Sequence, residues 1–153
     1  MVKKILFASL FLFVISSGYA SAIVTCSITA VGGVTFGNYA SGQSNPEYGA
    51  GSVTVNCTFT TPDTSAPYSI EMDSSVTPGT YKLLNGGSFI NYGLYKDTGY
   101  SLIWGTLLSG NAMTGLSGTG INQTYTVYGK IPALQTFSVF GAYTDNVTVT
   151  ITF

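Results

Sequence analysis

The chain has no histidine and no arginine, and only 7% of its 153 residues are charged, against about a quarter in ordinary globular domains. Without histidine there is no imidazole base, no histidine metal ligand and no side chain whose ordinary titration falls near neutral pH. Two of the five lysines, Lys3 and Lys4, precede the one long apolar run, in which every residue from Ile5 to Ile15 except Ser9 is apolar. That run is too short to span a bilayer as a helix. With Ala20-Ser21-Ala22 behind it, the pattern predicts a secretory signal over residues 1–22 and a single exported domain over residues 23–153. This domain carries Lys82, Lys96 and Lys130 against six carboxylates. So few cations offer no basic face for a phosphate backbone, which excludes nucleic acid as a partner. The low charge is not the mark of disorder, because 11 Tyr and 9 Phe are present.

What the chain has in quantity is short alternating stretches divided by Gly, Pro, Asn and Ser. The alternation predicts strands at Val24–Ala30, Gly51–Thr60, Tyr68–Met72, Tyr81–Leu84, Phe89–Tyr95, Ile103–Trp104, Gln123–Lys130 and Ala142–Phe153. Turn signals fall between them at 41–46, Thr61-Pro62-Asp63, Pro78-Gly79 and Asn85-Gly86-Gly87, and a Gly- and Ser-rich stretch over 109–120 reads as a long loop. The fold class is therefore all-β, an antiparallel sandwich. Threonine, with 21 copies, suits the wet faces of its strands.

The only cysteines are Cys26 and Cys57. By alternation Cys26 shares a face with Val24 and Ile28, and Cys57 shares one with Val53, Val55 and Phe59. Both sulfurs then point into one apolar layer, and an even pair in an exported chain reads as a disulfide. Closing this loop would stabilise the fold by roughly 3–4 kcal/mol in the chain-entropy model. No histidine or basic neighbour is there to activate either thiol.

Signals for catalysis are weak. Glu71 and Asp73 alternate with Ile70 and Met72, which puts both carboxylates on the wet side of a strand rather than across a cleft. Asp63 and Asp97 sit beside Pro62 and near Gly99, where Asp is a common turn residue. No catalytic, cofactor or metal-ligating set is expected, since no clustered oxygen ligands with calcium-binding spacing occur. The last strand alternates without a break: Val147, Val149, Ile151 and Phe153 line one face and Thr148, Thr150 and Thr152 the other. It reads either as an ordinary half-buried strand or as an edge that a partner strand captures.

Several stretches together resemble one family. They are Cys26-Ser27-Ile28, Val34-Thr35-Phe36-Gly37-Asn38-Tyr39, Gly51-Ser52-Val53-Thr54-Val55-Asn56-Cys57-Thr58, Leu94-Tyr95-Lys96-Asp97, Trp104-Gly105, Tyr125-Thr126-Val127-Tyr128-Gly129-Lys130 and the terminal run from Gly141 through Tyr143-Thr144-Asp145 to Phe153. Their order and spacing are similar to the spore coat protein U domain family, which includes subunits of archaic, Csu-type chaperone–usher pili. The resemblance implies an immunoglobulin-like sandwich lacking its final strand. A periplasmic chaperone, and later a neighbouring subunit delivered by an outer-membrane usher, would supply that strand. It implies export through the periplasm to the cell surface, no cofactor and no catalysis, with Val147, Val149, Ile151 and Phe153 flanking the gap.

One departure from the family pattern bears on position in a fibre. Cleavage after Ala22 would leave only Ile23, Val24 and Thr25 ahead of Cys26, too little for a strand to donate, so the expectation is a subunit that accepts a strand without donating one and either caps a fibre tip or stays outside the fibre. The apolar segment Pro132–Phe140 would then offer Leu134, Phe137 and Phe140 to a surface, unless those residues pack inward as one more short strand. Two other expectations stay open: a secreted surface or coat protein of the same fold, and a carbohydrate-binding sandwich that uses Trp104 and Tyr100.

Overall fold

The computed structural model describes residues 23–60, 65–75 and 80–153. The expected signal segment and the turns at 61–64 and 76–79 lie outside the described residues. Among the described residues, nine strands follow in chain order: β1 Val24–Thr35, β2 Glu47–Phe59, β3 Ala66–Ser74, β4 Lys82–Asn85, β5 Ser88–Asn91, β6 Gly93–Tyr95, β7 Met113–Gly118, β8 Gln123–Ile131 and β9 Val147–Thr152. Among the described residues there is no helix. One sheet has the order β1-β2-β8-β6, a second β7-β3-β9, and β4-β5 form a hairpin beside them. All pairings are antiparallel. The core lies between the two sheets, with Val53, Val55 and Cys57 from β2, Tyr68, Ile70 and Met72 from β3, and Val127 and Ile131 from β8.

Period-two alternation explains these assignments. On β3, Tyr68, Ile70 and Met72 are buried while Glu71 and Asp73 are half-buried on the other face. On β2 the buried positions are Val53, Val55 and Cys57. Cys26 and Cys57 face each other across the β1–β2 ladder, with Cα atoms 4.0 Å apart, and are joined as a disulfide.

Several boundaries differ from the sequence pattern. The expected strand Phe89–Tyr95 is two strands in different sheets, with Tyr92 at the switch between them. The expected loop over 109–120 contains β7, which pairs with β3 at Ala66, Pro67, Tyr68 and Ile70. Its six residues, Met-Thr-Gly-Leu-Ser-Gly, do not alternate, and Gly115 sits at φ +72° where the register slips, so an edge strand with a bulge hid as a loop. The Asn-Gly-Gly hairpin forms as expected, with Gly86 at φ +58° in a two-residue connection between Asn85 and Ser88. Residues 142–146 do not join the last strand. Instead Thr144 exchanges two backbone hydrogen bonds with Leu84 of β4, at 2.7 and 3.0 Å.

The departure that matters most is in β1. It runs on past Ala30 to Thr35, but its register against β2 slips between Ile28 and Ala30 and again between Gly32 and Thr35. Beyond the slips, Val34 and Phe36 lean over the core face of the sheet. They can do so because Gly129 of β8 has no side chain: a Cβ there would meet the Val34 methyl and the Phe36 ring. Gly51 of β2 likewise leaves room for the backbone at Gly32–Val34. The far half of β1 is thereby pulled from a plain edge position onto the core face.

Candidate strand-acceptor groove

β1 and β9 are the outer strands on one side of the sandwich, each paired with a single neighbour. Where β1 is displaced, the two sheets do not close, and a groove of about 580 Å³ opens between Val31–Tyr39 on one wall and Asp145–Val149 on the other. Its floor is apolar, with Val53, Met72, Leu94 and Val127 of the core. The two halves of the sandwich differ: Cys26, Ile28 and Ile151 do not line the opening, whereas Val34, Phe36, Val147 and Val149 do.

Among the described residues, the β9 wall carries a row of backbone groups with no partner. Val149 stands opposite Met72, and the Met72 N–H donates to the Gly105 carbonyl, away from β9, at 3.1 Å. In an antiparallel ladder a residue opposite such a partner also points its N–H and C=O away. The pairs Glu71–Thr150 and Asp73–Thr148 therefore carry the ladder bonds, in step with the Ser75 N–H donating to the Asn146 carbonyl. Val147, Val149 and Ile151 aim their N–H and C=O at the open edge and their side chains at the core. Phe153 lies just beyond the strand and is 59% exposed. Such an edge templates strand addition unless it is covered.

Beyond Val147 the β9 wall of the groove turns polar. Asp145 keeps the same parity as Val147 and Val149 and lines the opening. Its carboxylate accepts from the Ser74 hydroxyl and the Tyr92 hydroxyl, each at 2.9 Å. Burial, then the hydrogen bond to Asp145 and that residue's charge, holds the Tyr92 phenol far above its ordinary value. Tyr81, packed 5.4 Å from the Tyr92 ring, has its hydroxyl within 3.0 Å of the Met72 carbonyl and 2.9 Å of the Trp104 carbonyl. Its phenol is raised too, chiefly by burial and then by Asp73 and Asp145. Both phenols thus stay neutral hydrogen-bond donors.

The segment Pro132–Phe140 forms neither a further strand nor a uniformly exposed patch. Phe137 packs inward against Tyr39 and Tyr143. Leu134, at φ +63°, and Phe140 are 71% and 85% exposed, and Phe140 lies at the mouth of the groove. The Gln135 side chain holds the segment in place by bonding both the N–H and the C=O of Asn91.

The carbohydrate-binding expectation loses its principal residue. Trp104 is fully buried, and its indole N–H donates to the Ile70 carbonyl at 3.1 Å, so it presents no face to a sugar. Tyr100, at φ +54°, is stacked among Tyr48, Tyr95 and Tyr128 beside Lys130 on the outside of the four-stranded sheet. Two of the carboxylates considered for catalysis, Glu71 and Asp97, do structural work. Glu71 accepts from the Leu107 N–H and the Thr152 hydroxyl. Asp97 accepts from the Leu102 N–H at 2.7 Å and from Ser101, contacts that hold its carboxyl below the usual range.

The chain matches the model of the Spore Coat Protein U domain over residues 10–150 and belongs to that family. A solved structure with a similar fold is described as the CsuC–CsuE chaperone–tip adhesion subunit pre-assembly complex from archaic chaperone–usher Csu pili of Acinetobacter baumannii. A chain of that complex superposes with a TM-score of 0.57 at 20% identity, over 86% of this chain and 40% of that one. This chain thus spans about two-fifths of its structural neighbour, and at that identity the likeness is one of fold. No curated protein matches the sequence.

Proposed function

We propose that this chain is a structural, non-catalytic subunit of an archaic chaperone–usher pilus, exported to the cell surface, whose open groove is filled by a strand from another protein. A periplasmic chaperone would fill it first and a neighbouring subunit, brought by an outer-membrane usher, would fill it afterwards. The observation that carries this reading is the coincidence of an apolar groove, lined by Val147 and Val149, with the unpaired N–H and C=O row that runs on from them to Ile151. A strand added there would gain ladder hydrogen bonds from β9 and bury apolar side chains on the floor at the same time. Family membership and the fold shared with a chain of a chaperone–subunit complex point the same way.

The first residues of β1 bear on the expected tip position. Val24 and Thr25 already pair with Phe59 and Thr58, and the Ile23 N–H donates to the Thr60 hydroxyl, so these residues are engaged within their own domain. A strand offered to a neighbour would have to come from residues before Ile23.

Val149→Asp, which puts a charge on the groove wall, is expected to abolish recovery of a one-to-one complex when the chain is co-expressed with its periplasmic chaperone. Thr148→Lys, which puts a charge on the opposite face of the same strand and across from Asp73, is expected to leave recovery within about twofold of the parent, as surface substitutions usually do. Equal recovery of both variants would contradict capture through this groove.

A further inference from the structure

We propose that the groove selects a strand whose apolar alternation ends in lysine or arginine, and that Asp145 is the residue that reads this cation. The inference rests on the strand-acceptor reading above and specifies the chemistry of the occupant. Asp145 continues the inward row of Val147 and Val149 by one step, so a strand laid along β9 brings a side chain past it immediately after the apolar row of β9 ends.

Among the described residues, the carboxylate is supported only by neutral donors, the hydroxyls of Ser74 and Tyr92. No lysine among the described residues reaches it. Lys82 lies over the Phe89 ring, Lys96 donates to the carbonyls of Asn111 and Ala112, and Lys130 lies near Tyr100. In the open groove, water can solvate the remaining lone pairs of Asp145. A strand that covers the groove strips that water, and two hydroxyl bonds offset only part of the loss. A lysine or arginine on the strand would pair the charge as it is buried. A neutral side chain would leave it under-solvated, and an acidic one would add repulsion. The groove would thus reject many alternating apolar strands that its floor alone would accept, which is specificity by penalty on the wrong partner.

The test uses short peptides of alternating Val/Ile and Thr, each ending in Lys, Gln or Glu, with that residue placed at either the N- or the C-terminal end. Binding to the disulfide-bonded chain and to Asp145→Asn is read by fluorescence anisotropy. Asparagine keeps an acceptor for the Ser74 or Tyr92 hydroxyl, and thermal melting verifies that the variant folds. The expected result is the order Lys, Gln, Glu in one of the two placements, with Lys about tenfold or more tighter than Glu, the scale of a hydrogen bond to a charged group. The order should flatten in Asp145→Asn and shrink at high salt. Three peptides that bind alike in both placements, or an order that survives in Asp145→Asn, would overturn the inference and leave the groove reading standing. Failure of every peptide to bind would remove both.

Discussion

Trp104→Ala is expected to lose about 3–5 kcal/mol of stability, the range for deleting a buried aromatic side chain. Against a total of about 5–15 kcal/mol for a domain, that is a large share of the stability. The size of the effect follows from where Trp104 sits. It is fully buried between the sheets, its backbone N–H donates to the Leu94 carbonyl of β6, and its indole N–H donates to the Ile70 carbonyl of β3. One residue therefore ties the four-stranded sheet to the three-stranded one, and its carbonyl also receives the Tyr81 hydroxyl. Trp104→Phe keeps most of the ring but leaves the Ile70 carbonyl without that donor, and a smaller loss of about 1–3 kcal/mol is expected. Urea unfolding of the disulfide-intact variants measures both. A loss below about 1 kcal/mol for Trp104→Ala would show that the contacts at this position do not hold the sheets together.

The second large effect is a gain. Extending the chain beyond Phe153 with a short Gly-rich linker and an alternating Val/Thr strand ending in Lys is expected to raise the melting temperature by roughly 10 °C. β9 ends in the closed half of the sandwich, so a strand that turns back along its free edge runs from Ile151 toward Val147 and brings its last residue to Asp145. A short tether gives an effective concentration of about millimolar. If that is about 100 times the dissociation constant, the fold gains about 2.7 kcal/mol, and for a domain of this size each kcal/mol is about 4 °C. The same extension with Asp at its inward positions is expected to give no rise, which separates groove filling from a general effect of the added residues.

Much of this fold can be read from residue order because alternation and disulfide pairing are local signals with physical causes. Val53, Val55 and Cys57 announce both the strand and its buried face, and the sharing of a face by Cys26, Val24 and Ile28 places the second sulfur in the same layer. The same signal marks Val147, Val149 and Ile151 as inward on the last strand. It does not reveal which edge of that strand is open, because pairing to β3 is a long-range fact. β7 does not show in the sequence because Gly115 breaks its alternation. The last strand begins later than its alternation suggests, since Thr144 alternates with its neighbours but bonds to Leu84. The groove itself depends on Gly49, Gly51 and Gly129, whose missing side chains leave room for the Gly32–Phe36 stretch at the end of β1. Alternation puts Gly51 and Gly129 in strands but does not show what drops onto them. Trp104, a candidate sugar platform by residue type alone, is buried because its indole N–H finds a strand carbonyl. Asp145 was legible only as part of a terminal motif. Its place in the groove wall needed the register of β9.

Amide hydrogen exchange along β9, with and without a strand in the groove, tests the open edge most directly. In the chain alone, the amides of Val147, Val149 and Ile151 are expected to exchange fast while those of Thr148 and Thr150, bonded to β3, exchange slowly. With a chaperone or a tethered strand in place, the three fast amides should become as protected as their neighbours. Protection of Val147, Val149 and Ile151 in the chain alone, or no change in them when the complex forms, would contradict an edge that another strand completes.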